Sequence, residues 1–152
     1  MAGFVFRLEP VLRQRKHVEE QRQRELAELL RRQLILQTQL RTLQQTVQSD
    51  KRQMSDALVG AVDVPRIRQH ATHASQVSLR IQQLAAQLFA LARQVERARG
   101  NLLEATKACK ALETLRQRQH ERWRSDQERR QTAELDEVAV QRFARGLHEV
   151  VA

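Results

Sequence analysis

His70 and His73 stand three residues apart, a spacing that on a helix places two imidazoles on one face where they could share a metal ion. No third ligand accompanies them, so the pair reads as the half-exposed flank of a helix and no metal site is expected. Cys109, the single cysteine, offers a thiol but cannot form an internal disulfide; it reads as a small core residue, and its solitude fits a reducing compartment. Between Pro65 and Gly100 the arginines Arg66, Arg68, Arg80, Arg93, Arg97 and Arg99 face the single acid Glu96, a basic strip able to neutralise phosphates. Yet no aromatic residue is interleaved with Arg66, Arg68 and Arg80, and no basic region precedes a parallel zipper, so a solvated arginine face is the reading preferred to nucleic-acid binding. A phosphate-cradling glycine loop, a nucleophile elbow and paired-cysteine spacing are all missing from the sequence. The expectation is a chain with no catalytic residues, no cofactor and no small-molecule substrate.

The elements that must carry these residues follow from hydrophobic spacing. Leu26, Gln33, Leu40, Val47, Met54 and Ala61 recur at a positions of a heptad, with Leu29, Leu36, Leu43, Asp50 and Ala57 at d. The spacing restarts with Ile67, Ala74, Ile81, Leu88, Val95, Leu102 and Cys109 at a and His70, Val77, Leu84, Leu91, Ala98, Ala105 and Leu112 at d. Two sustained seams predict a coiled coil. Between them "VGAVDVPR" supplies Gly60 to end the first helix, Asp63 to cap the second and Pro65 for its first turn. One continuous helix through the proline would cost about 3 kcal/mol, whereas folding back buries each seam on the other. The predicted fold is therefore all-α: a two-helix antiparallel coiled-coil hairpin with a longer second helix. It forms a single coiled-coil domain over 1–152, with a helix over about 10–59, a bend over 60–64 and a helix over about 65–145.

With the bend near residue 62, Phe4 is expected opposite His120, and everything beyond overhangs. Arg116, Gln119, Asp126 and Arg130 occupy seam positions there, leaving Trp123 as either a core plug or a partner anchor. Pro10 disfavours helix at Glu9, so Phe4, Val5, Phe6 and Leu8 form a short apolar flap whose burial within the hairpin is expected to be incomplete. Leu135, Val138, Phe143 and Leu147, interleaved with Arg142 and Arg145, add a second apolar set. Both ends thus read as one docking tip, the alternative being a flap that folds over Trp123 and closes the hairpin.

Composition agrees with long helices and little else. The 152 residues are 30% charged and 3% aromatic, with no tyrosine, four glycines and two prolines. Of 27 basic residues only four are lysine, and the net charge is +9, which calls for an acidic partner or simply keeps the chain soluble. No stretch approaches the roughly 20 apolar residues that span a bilayer, and the start has no signal-peptide pattern, so a cytoplasmic location is expected.

Two short motifs carry a family resemblance. "FVFRLEPVLRQRKHVEEQ" resembles the opening of the FliJ family of the bacterial flagellar type III export apparatus, matching at Phe4, Phe6, Leu8 and Leu12. "ELDEVAVQRFAR" is similar to the family's C-terminal pattern at Leu135, Asp136, Glu137, Ala139, Arg142 and Phe143. The resemblance implies an antiparallel helical hairpin like the central stalk of rotary ATPases. It implies a non-enzymatic protein of flagellum biogenesis, protein transport and motility, cytoplasmic and held peripherally at the inner membrane through the export apparatus. Its implied partners are the hexameric flagellar export ATPase, the cytoplasmic domain of the export gate, and export chaperones. Phe4, Phe6, Leu8, Leu12, Leu135, Asp136, Glu137, Arg142 and Phe143 would form the ATPase-binding tip. Gate binding would fall on Gln39, Leu43, Thr46 and Asp50 in the first helix and on His73, Val77, Arg80 and Leu84 in the second. A generic coiled-coil adaptor, which gives the termini no role, and a nucleic-acid-binding coiled coil are the alternatives.

Overall fold

The computed structural model describes residues 3–151, with side chains through 145. Local backbone chemistry sets where each helix begins. The N–H of Glu9 donates to the carbonyl of Phe6 (3.1 Å), and that of Leu12 to the carbonyl of Leu8 (2.9 Å), which opens helix α1, Glu9–Ala57. Pro10 lies in this first turn, where its missing donor leaves no bond unmade. The end of α1 tightens: Leu58 and Val59 donate to the carbonyls of Ser55 and Asp56 (3.3 and 3.2 Å). Gly60 then takes φ 95°, a left-handed conformation in which a Cβ would be strained. Asp63 starts α2, Val64–Val151, because its carboxylate accepts from the Arg66 N–H (3.3 Å) and its carbonyl from the Ile67 N–H (3.1 Å). No strand occurs among the described residues, and the architecture is an all-α, two-helix hairpin whose second helix is the longer.

The chain divides into two compact units, Val18–Ala105 and Met1–His17 with Thr106–Ala152. In the unit spanning 18–105 the heptad seams are the protected surface. Val77, Leu84, Leu91, Val95 and Ala98 of α2 are buried, spaced seven, seven, four and three, as consecutive a and d knobs require. Leu26, Leu29, Leu36, Leu40, Leu43, Val47 and Met54 of α1 are half-buried, as two helices alone cannot enclose a seam. Gln33 and Asp50, the polar residues that weaken the pattern, are half-buried too. Outside the seam, Thr38, Thr42 and Thr46 each turn the hydroxyl back to the carbonyl four residues earlier (2.9–3.1 Å).

The other unit has a separate core of Phe6, Leu12 and Cys109, with Phe4 and Leu112 packed against it. The flap is closed: Phe6 is 6%, Leu12 1% and Cys109 3% exposed. Phe6 reaches this depth because residues 3–8 are not helical, so the flap is free of the helical screw and can turn its second ring inward. From 124 to 145 every α2 side chain is exposed except half-buried Gln127.

Candidate partner-binding surfaces

In the unit built from 1–17 and 106–152, the residues matched to the tip fall into two groups. Phe6 and Leu12 are internal, so their area is already spent on the hairpin. Phe4 is half-buried, its ring edge-on to His120 with centroids 5.1 Å apart and 85° between planes. Trp123 adds a tilted ring 6.1 Å from Phe4 and 5.9 Å from His120. Three aromatic side chains therefore close the hairpin where its seam turns polar. Two ion pairs clasp the same region across the helices, Lys16 to Glu113 at 3.0 Å and Glu9 to Arg116 at 3.4 Å. The hydrogen bond to Glu113, then its negative charge, raises the Lys16 pKa above its ordinary 10.5. Leu8 remains at the surface.

Leu135, Asp136, Glu137, Arg142 and Phe143 form the second group, and the structure does not bring them to the first. Leu135 lies twelve residues past Trp123 on one continuous helix, roughly 18 Å along its axis. At 100° per residue Leu135, Ala139, Phe143, Asp136 and Val140 share one arc of the helix surface, with Arg142 at its edge. All are exposed, Phe143 at 71%. Glu137 lies off this arc, its carboxylate accepting from Gln141 (3.4 Å). The side chain of Leu147 lies outside the described residues. An arc of large apolar groups with no covering strand suits a partner with a hydrophobic groove.

The residues matched to gate binding all lie in the 18–105 unit, and they separate by depth. Val77 and Leu84 are buried knobs and Leu43 is half-buried, so these three hold the coil together. Gln39, His73 and Arg80 are exposed, and Thr46 is half-buried at the edge. Arg80 reaches only the amide oxygen of Gln83, at 3.5 Å. Asp50 and His73 are linked directly, Nδ1 to Oδ2, at 2.7 Å. This bond across the hairpin gives a seam carboxylate its partner and favours one register of the two helices. The heptad pattern marked Asp50 as a weakness, and pairing it with a residue near 74 was the available signal for His73. The clasps of Lys16 and Glu9 had no comparable signal, because long exposed side chains choose among several neighbours.

His70, the other histidine of the metal-spaced pair, lines a cavity of about 200 Å³ with Val47, Asp50, Met54, Ala74 and Ile81. Among the described residues no three His, Cys, Asp or Glu side chains cluster to hold a metal. No described helix is long and apolar enough to cross a membrane.

No curated protein and no solved structure matches the chain. A family model does: that of the Flagellar FliJ protein, over residues 4–148. This match takes in the apolar flap, both seams, the bend and the exposed arc around Phe143, and the chain belongs to the FliJ family.

Proposed function

We propose that this chain is a non-enzymatic coupling component of flagellar protein export, joining the export ATPase ring to the cytoplasmic domain of the export gate and to export chaperones. Its FliJ membership carries the export role. The observation that supports coupling is the uncovered arc of Leu135, Val140 and Phe143, which are 69%, 67% and 71% exposed. In this reading the arc docks in the ATPase ring, Arg142 and Arg145 orient it against acidic ring residues, and Phe4, Phe6 and Leu12 act behind it by keeping the hairpin closed. Exposed Gln39, His73 and Arg80 meet the gate domain, which would hold the protein peripherally at the inner membrane.

Burying Leu135 and Phe143 would contribute roughly 3 to 6 kcal/mol, two to four orders of magnitude in affinity. The test is stimulation of export ATPase assembly by the purified chain. Leu135→Ser with Phe143→Ser should abolish stimulation and leave the melting temperature within about 1 °C of wild type, since both side chains are largely exposed. Full stimulation by the double variant would remove the arc from the ATPase interface.

A further inference from the structure

We propose that the chain reversal between α1 and α2 is a docking tip for anionic lipid headgroups. Two independent features of the 18–105 unit meet there. The reversal carries four exposed aliphatic side chains: Val59 is 81% exposed, and Leu58, Val62 and Val64 are each more than half exposed. A soluble turn is ordinarily polar, whereas here Asp63 is the one polar side chain from 58 to 64. Flanking them within two turns of helix on either side are Lys51, Arg52, Arg66 and Arg68, all exposed and none in an ion pair among the described residues.

The acids of the region are largely committed. Asp50 is bonded to His73, and the Asp63 carboxylate caps α2 through the Arg66 N–H, which leaves Asp56 as the one acid without such a bond. Arg68, with Val64, Pro65, Thr72 and His73, also edges an open groove of about 610 Å³, enough for a phosphate headgroup beside the guanidinium. Aliphatic groups at the turn with cations one step behind match the layering of a membrane interface, where side chains enter the acyl boundary and Lys and Arg reach phosphates. An acidic protein surface would use the cations but gives the four aliphatic groups no pocket, and the tip offers none of the aromatic anchors typical of protein contacts.

The test is co-sedimentation of the full chain with protein-free vesicles of phosphatidylcholine, alone or with about 30% phosphatidylglycerol. Binding is expected only with the anionic lipid. Val59→Ser with Val62→Ser, and separately Arg66→Gln with Arg68→Gln, should each weaken it at least about tenfold with helicity unchanged. Arg129→Gln with Arg130→Gln, which removes the same charge elsewhere, should stay within about twofold. A Val62→Trp chain should add a blue-shifted emission on anionic vesicles. Equal loss in the Arg129 and Arg130 control, or binding with no blue shift, would reduce the effect to diffuse charge and overturn the proposal. Binding to polyglutamate but not to vesicles would overturn it in favour of an acidic protein. The vesicles contain no export gate, so a negative result leaves the gate reading intact, and a positive one does not depend on it.

Discussion

Phe6→Ala tests whether the flap acts as a latch. Phe6 is 6% exposed against Leu12 and Cys109, so truncation removes a buried ring and leaves a cavity beside two other buried groups. Such a change costs about 3 to 5 kcal/mol in a closed core. Here Phe4 and Leu112 are only half-buried and can settle into the space, which argues for about 3 kcal/mol. Cys109 reports the loss directly, because it is the only thiol in the chain and is 3% exposed. If a thiol reagent reaches it only when the flap opens, 3 kcal/mol raises the native labelling rate roughly 140-fold. Trp123, the single tryptophan, should change its emission as Phe4 leaves its ring 6.1 Å away. Phe6→Leu, which refills most of the volume, should recover most of the protection. A labelling rate within threefold of wild type in Phe6→Ala would refute the latch and free Phe6 for a direct partner role.

Three further outcomes follow from the geometry. Gly100 sits inside α2 and an added Cβ meets nothing within 4 Å, so Gly100→Ala should stabilise the helix by about 0.5 to 1 kcal/mol; Gly60→Ala, equally uncrowded but at φ +95°, should instead cost about 1 to 2 kcal/mol, both read by denaturant midpoint. Lys16 has its folded pKa raised by Glu113, so its contribution is complete below about pH 10.5 and is lost as pH rises through the folded value. Lys16→Met should therefore flatten a small alkaline step in Trp123-detected melting, and a step of unchanged size would exclude this pair. Arg80→Glu and Thr46→Glu, at positions off the buried knobs, should weaken binding to the gate's cytoplasmic domain without loss of helicity; unaltered affinity would withdraw that surface.

The heptad spacing, Gly60, Asp63 and Pro65 were enough to read an all-α hairpin with a longer second helix, because each is a local or strictly periodic signal. A helix repeats its exposure every turn, so Val77, Leu84 and Leu91 could be assigned to the seam from spacing alone, and they are buried. The opposition of Phe4 and His120 followed from the same arithmetic, and their rings lie 5.1 Å apart. The fate of the flap did not. Residues 3–8 obey no helical period, and whether Phe6 stays at the surface depends on the volume left beside Leu12 and Cys109, about a hundred residues apart in sequence. Only tertiary packing decides that. It leaves Val5 of the flap with Leu135, Val140 and Phe143 as the most exposed large apolar groups of this unit, and turns two residues that looked like a docking surface into the core that keeps the hairpin shut. Asp50 shows the same division: its seam position is legible as a defect, but its bond to His73 depends on how the two helices are staggered, which the bend sets in three dimensions.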